Sequence, residues 1–83
     1  MYFIYMLLCN DETIYTGTTN DIAKRVLDHN TSARAAKYTR SRRPVHLVYT
    51  EEVPTKGEAL KREAVLKKLT REQKLALIKE GKI

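Results

Sequence analysis

The chain has one cysteine, Cys9, among its 83 residues. A lone cysteine closes no internal disulfide and builds no cysteine-based metal site, so no disulfide partner is expected. It fits a reducing, cytosolic setting, where such a thiol is ordinarily a small buried hydrophobe. Long apolar runs are missing as well. No window approaches the ~20 apolar residues of a membrane span, and no basic region precedes the first apolar run as a signal peptide requires. The expectation is no membrane insertion and a cytoplasmic or nucleoid-associated location. Repeats, low-complexity tracts and linkers are absent too, so residues 1–83 read as one domain. A chain of this length buries only about 60–65% of its unfolded surface, which leaves a thin core. Acids are in short supply: 10 Asp and Glu stand against 16 Lys and Arg, for a net charge of +6 and a pI near 9.6. That balance favours a polyanionic partner, nucleic acid first and an anionic membrane surface second.

What is present is organised around the first seventeen residues. Tyr2 to Leu8 and Thr13 to Thr18 are rich in aromatic and branched side chains. Between them lie Asn10 and Asp11, whose side chains bond nearby backbone and tolerate unusual dihedrals. Two such runs around a short polar segment predict a β-hairpin, with Tyr5 on its first strand and Tyr15 near the end of its second. Gly17, two residues on, leaves the backbone uncovered and open to close approach by a ligand.

Further along, Asn20 or Thr19 is suited to cap a helix, and Asp21 places a negative charge at its positive end. Ile22 and Val26 are spaced to face the core, and Arg25 and His29 share one face a turn apart. Asn30 to Ala36 reads as loop. The stretch from Arg34 to Arg43 carries five basic residues and no acid, with Tyr38 among them. Its second part resists assignment beyond a short helical turn. Val45 to Thr50 alternates imperfectly and predicts a third strand, with His46 on the solvent side. Thr55 with Glu58, and Thr70 with Gln73, are capping-box pairs that open two further helices. Gly81 is placed to end the second. The predicted fold is α/β, a small three-stranded mixed sheet flanked by helices. Strands are expected near 2–9, 13–18 and 45–53, and helices near 21–30, 56–69 and 71–79.

Glu63 stands apart. Ala59, Leu60 and Leu66 flank it on the side of its helix that should meet the sheet, where a carboxylate is costly unless paired or bound to a cation.

Phe3-Ile4-Tyr5 and Tyr15-Thr16-Gly17 resemble the paired motif of the GIY-YIG nuclease superfamily. Arg25-Val26-Leu27-Asp28-His29 matches the Arg and His that this superfamily carries on the helix after its second motif. Glu58-Ala59-Leu60-Lys61-Arg62-Glu63 looks like the helix that carries its metal-binding Glu. Lys37-Tyr38-Thr39 followed by Arg42-Arg43-Pro44-Val45 resembles the small single-domain branch, and in part the catalytic subunit of a structure-selective nuclease that works with a scaffold partner. Phe3 replaces the first motif's Gly, Thr16 replaces the second motif's Ile, and the Asn that some members place after the Glu has no clear counterpart.

The resemblance implies a metal-dependent DNA endonuclease of low or structure-based selectivity, with DNA repair as the kind of process it serves. It implies a catalytic set of Tyr5, Tyr15, Arg25, His29 and Glu63 lining one concave surface. Glu63 would hold one Mg²⁺ or Mn²⁺ ion, a single carboxylate suggesting one metal rather than two. Arg25 would contact the phosphate, Tyr5 or Tyr15 would help deprotonate the attacking water, and His29 would orient a tyrosine or relay a proton. Gly17, Lys37, Tyr38, Thr39, Arg40, Arg42 and Arg43 would contact DNA, the cations gripping the backbone and Tyr38 stacking on a base. A scaffold protein is an implied partner. The alternative is a nucleic-acid-binding module of the same fold, inactive alone or acting as a partner-dependent subunit. A basic structural protein, for example a ribosome-associated one, gives no reason for Arg25, His29 and Glu63 to accompany the tyrosine hairpin.

Overall fold

The computed structural model describes residues 1–31 and 37–81. Its elements are β1 (Tyr2–Leu8), β2 (Ile14–Thr19), α1 (Ile22–Thr31), α2 (Lys37–Arg40), β3 (His46–Val53), α3 (Lys56–Lys67) and α4 (Arg71–Gly81). The strand order is β2-β1-β3, and both pairings are antiparallel. The α/β class and the three strands are as predicted, but the sheet is antiparallel rather than mixed. β2 and β3 do run in the same direction; β1 lies between them, so they never pair.

β1 is the central strand, and Ile4, Tyr5, Met6 and Leu7 are all buried. A strand covered on both faces shows a continuous apolar run instead of alternation. On one face, Tyr5, Leu7, Cys9 and Val45 pack with Tyr15, Leu47 and, from α1, Ile22 and Val26. On the other, Ile4, Met6 and Tyr49 pack with Ala59 and Leu66 of α3 and with Leu77 and Ile78 of α4. Cys9 is a free buried thiol, as expected. The imperfect alternation of the third strand has a cause. Met6 pairs with Tyr49 and Leu7 with Leu47, so Val48 is the extra residue of a β-bulge. The bulge turns Leu47 and Tyr49 to opposite faces.

The hairpin turn closes through Cys9 N–H to Thr13 O at 2.9 Å and Glu12 N–H to Cys9 O at 2.9 Å. Asp11 Oδ1 accepts from Thr13 N–H and Oγ1–H at 3.1 and 2.6 Å, and Glu12 takes the left-handed conformation at φ 67°. Asp21 caps α1, accepting from Lys24 N–H at 3.1 Å, while Thr19 Oγ1 accepts from Asp21 N–H. The cap thus lies one residue later than predicted, because Thr19 holds the Asp21 backbone in a turn of its own. The helix also runs past Asn30 to Thr31; the rest of the predicted loop, residues 32–36, falls outside the described residues.

Thr55 Oγ1 accepts from Glu58 N–H at 3.2 Å, and Thr70 and Gln73 exchange side chain-to-backbone bonds in both directions, at 3.2 and 2.9 Å. α3 ends at Lys67, but Lys68 N–H to Val65 O and Leu69 N–H to Leu66 O carry a tighter turn on to the predicted end. Gly81 does not follow α4 as a terminator. It is the last helical residue, where a Cβ would lie 2.4 Å from the Tyr49 ring. Among the described residues no helix is long and apolar enough to cross a membrane.

Candidate active site

The hairpin register brings the two tyrosines together. Tyr5 lies opposite Gly17 and Leu7 opposite Tyr15, and strand parity puts all four on the α1 face. Tyr15 is near the start of β2, not its end, so the tyrosines meet as a diagonal pair with ring centroids 6.3 Å apart. Gly17 is what lets Tyr5 cross β2. A Cβ there would stand 2.6 Å from the Tyr5 hydroxyl and 3.0 Å from the Tyr15 ring. The position predicted to admit a ligand is therefore buried and filled by Tyr5. Thr16, on the α3 face, is buried, and its Oγ1 has no partner.

α1 brings His29 onto this pair. Its Nε2 is 2.8 Å from the Tyr5 hydroxyl, and its ring packs 5.1 Å from that of Tyr15. Its Nδ1 is 2.6 Å from Thr39 Oγ1 of α2. His29 and Thr39 are both 0% exposed. Burial first, then the charge of Arg25, depresses the imidazole to about 4, with Asp28 opposing and Arg43 adding. His29 is thus neutral throughout the physiological range. Burial likewise pushes the Tyr5 phenol up to about 12; the nearby Arg25 guanidinium pulls the other way, and the charges of Tyr15 and Glu63 add to the rise. One turn before His29, Arg25 thus acts on the same phenol, in keeping with the face that the helical spacing gives the two residues.

The end of α1 is tied to the rest of the fold. Asn30 brackets Val45, accepting from its N–H at 2.7 Å and donating to its carbonyl at 3.0 Å. Arg43 donates to the carbonyls of His29 and Asp28 at 2.5 and 3.4 Å. Neither contact is legible from composition, since each depends on the chain returning from α2 to β3.

Glu63 comes from α3, on the opposite side of the sheet. It shares the packed side of that helix with Ala59 and Leu66, whereas Leu60 is 47% exposed and does not flank it inside. The Glu63 side chain is 18% exposed, and its ion pair is with Lys67 at 3.4 Å, one turn on. Its charge raises the Tyr5 phenol, the least of the causes acting on it. Among the described residues no group of three or more His, Cys, Asp or Glu side chains is placed to hold a metal ion. A half-buried single carboxylate fits an ion that keeps several waters and takes further oxygens from a substrate phosphate, the usual habit of Mg²⁺.

The basic segment divides by role. Thr39 is buried against His29 and offers nucleic acid nothing. Arg43 braces the end of α1. Lys37, Tyr38, Arg40, Ser41 and Arg42 line an open groove of about 500 Å³. Within it the Arg42 guanidinium lies 3.9 Å over the Tyr38 ring and bonds Asp11 Oδ2 at 2.9 Å, and Tyr38 packs 5.8 Å from Tyr15. Tyr38 therefore already carries stacking partners of its own. Hydrogen bonding to Thr13, first of all, holds the Asp11 carboxyl below its ordinary range. Asp11 was read only as a turn former, and nothing in its neighbours announces an arginine from beyond α2. Arg34 lies outside the described residues.

The family model of the GIY-YIG catalytic domain matches residues 1–76. A UPF0213 protein of Staphylococcus epidermidis is 52% identical over 80 residues, covering 96% of each chain, and one of Staphylococcus aureus is 53% identical over 79 residues, covering 95% of each. The solution NMR structure of a UPF0213 protein from Bacillus halodurans superposes with a TM-score of 0.60 at 41% identity, covering 95% of this chain and 84% of that one. That of a protein from E. faecalis gives 0.64 at 46% identity, covering 95% and 83%. With the motif tyrosines, Arg25 and His29 meeting on one face of a sheet that these solved structures share, the chain belongs to the GIY-YIG catalytic-domain family, whose members are generally endonucleases.

Proposed function

We propose that the protein is a metal-dependent DNA endonuclease that hydrolyses phosphodiester bonds with low or structure-based sequence selectivity. The observation that carries this reading is the 2.8 Å contact of the Tyr5 hydroxyl with His29 Nε2, with Arg25 beside that hydroxyl and Tyr15 against the same imidazole. Arg25 is always charged and matches phosphate geometry, so it holds a non-bridging oxygen. A phosphate bound there offsets the positive charge that, after burial, keeps the imidazole from accepting a proton.

The attacking water then gives a proton to the Tyr5 oxygen as Tyr5 passes its own to His29 Nε2. The water oxygen bonds to phosphorus, the bond from phosphorus to the leaving oxygen breaks, and that oxygen takes a proton from solvent. Such a relay needs no free phenolate, which suits a phenol pushed up to about 12. Tyr15, half-buried, orients the water. Glu63 is the residue that would hold a Mg²⁺ or Mn²⁺ ion, which would supply positive charge against the extra negative charge of the transition state. Lys37, Arg40 and Arg42 grip the DNA backbone along the groove beside Tyr38.

The second reading is a nucleic-acid-binding module that is inactive alone or serves a scaffold partner. Exposed Leu60, Val65 and Leu75 on α3 and α4 favour it. One experiment separates the two: single-stranded, duplex and branched DNA are incubated with the protein in Mg²⁺, Mn²⁺ or EDTA, beside Glu63→Ala. Cleavage is expected only with metal. Glu63→Ala should lose it by roughly a hundredfold or more. It should melt close to wild type, because an i,i+4 pair of this half-buried carboxylate with the exposed Lys67 ammonium contributes only about 0.3–0.5 kcal/mol. A stable Glu63→Ala variant that still cuts with metal overturns the assignment of Glu63. Binding without cleavage on every substrate selects the second reading.

A further inference from the structure

We propose that Thr39 is a positioning residue: its hydroxyl accepts a hydrogen bond from His29 Nδ1–H and so holds the imidazole in the tautomer whose bare Nε2 faces the Tyr5 hydroxyl. The consequence for cleavage rests on the nuclease reading above; the tautomer itself does not.

The two contacts, 2.6 Å from Nδ1 to Thr39 Oγ1 and 2.8 Å from Nε2 to Tyr5, are both buried. Buried polar atoms take their partners from the protein, so both ring nitrogens are committed. A neutral imidazole has one N–H and one lone pair, and the direction of the chain decides which nitrogen carries which. Arg25 has only donors, and its charge acts on the Tyr5 phenol, so the phenol's lone pairs face the guanidinium and its O–H faces away. The Tyr5 O–H is then turned to donate to Nε2. Nε2 is the acceptor, the ring proton sits on Nδ1, and Thr39 Oγ1 receives it. With the Arg25 charge at its head, the two bonds run in one sense from Tyr5 through His29 to Thr39. Without the Thr39 hydroxyl the Nδ1 proton would be stranded, and moving it to Nε2 would set a donor against the Tyr5 O–H.

Thr39 is held where this requires. Its carbonyl accepts from Arg42 N–H at 3.0 Å, and the Arg42 carbonyl accepts from Asn10 N–H at 2.8 Å. The Arg42 side chain pairs with Asp11 and donates to Tyr38 O at 2.7 Å. The hairpin turn thus straps α2 against α1, and Thr39 is the member of α2 that points inward.

The test is the ¹⁵N spectrum of the histidine rings. The chain has 2 histidines, and exposed His46 serves as an internal control. In the wild type, His29 should show a protonated Nδ1 and a bare Nε2. Thr39→Val keeps the shape and loses the hydroxyl, and should move His29 to a mixed or Nε2–H form while His46 stays unchanged. Thr39→Ser should restore the wild-type pattern. In cleavage, Thr39→Val should lower kcat roughly tenfold or more with KM held, and Thr39→Ser should lie within about twofold of wild type. A wild-type His29 protonated on Nε2, or an unaltered tautomer in Thr39→Val, overturns the proposal. If Thr39→Val does not fold, the wild-type and Thr39→Ser spectra decide on the same criterion. A chain that shows the expected tautomers but cuts no DNA would sink the nuclease reading and leave the role of Thr39 intact.

Discussion

Tyr5 and Tyr49 sit on opposite faces of one sheet, and burial pushes both phenols up to about 12. Their surroundings differ in kind. The Tyr49 hydroxyl donates to Glu51 Oε2 at 2.5 Å, and Arg62 bonds the same carboxylate twice, at 2.8 and 3.0 Å. That hydroxyl faces an anion already neutralised by a cation, so its proton has nowhere further to go, and the triad fastens α3 to β3. The Tyr5 hydroxyl meets a neutral imidazole with a second hydroxyl behind it. Equal resistance to ionisation thus accompanies a structural clasp on one face and the proposed proton path on the other. The partner, more than the acidity, distinguishes the two roles.

The comparison breaks most sharply at the hydroxyls. Tyr5→Phe keeps the ring and removes the relay, and should cut cleavage roughly 10²–10⁴-fold. Tyr49→Phe should leave cleavage nearly unchanged and cost about 1 kcal/mol of stability, read by denaturant unfolding. Equal losses of activity in the two variants would erase the distinction. Next comes Gly17→Ala, whose added methyl meets the Tyr5 ring. It should destabilise the fold by about 1–3 kcal/mol and, in whatever remains folded, weaken the Tyr5–His29 contact.

Acid gives a graded effect, spread over the pH scale. His29 falls from 6.5 in the unfolded chain to about 4 in the folded one, so as pH drops from 6.5 to 4 the unfolded state takes up the proton first. Stability is then lost by at most about 1.4 kcal/mol per pH unit across that window, and the slope should flatten in His29→Gln. Smallest is Arg42→Ala, which should reduce the salt dependence of DNA binding by about one phosphate contact. Arg43→Ala should instead loosen the end of α1 and lower the melting temperature.

The sequence disclosed the parts whose signals are local. The hairpin, the capping boxes at Thr55 and Thr70, and the shared face of Arg25 and His29 all follow from residues within a few positions of one another. Parts that need the chain to return were hidden. Thr39 looked like one more polar residue of a basic run, because nothing near it in sequence reveals that α2 folds back onto α1. Gly17 was read as an opening because the ring that fills it comes from the neighbouring strand. Leu60 was placed inward from the company of Ala59 and Leu66, yet it sits on the far side of the helix from their buried line.

The central position of β1 has a consequence for how the site comes into being. Its pairing with β2 is local, and the tyrosines can meet as soon as the hairpin closes. A two-stranded ribbon is only marginally stable in water, however, and the third strand must return from beyond α2 to set Val53 beside Tyr2. Closing that long loop costs entropy before its contacts repay it, and such pairings form slowly. His29 and Thr39 both lie within the loop. The tyrosine pair is therefore the contact expected early, and the Tyr5–His29 contact, 24 residues apart in the chain, the one expected later.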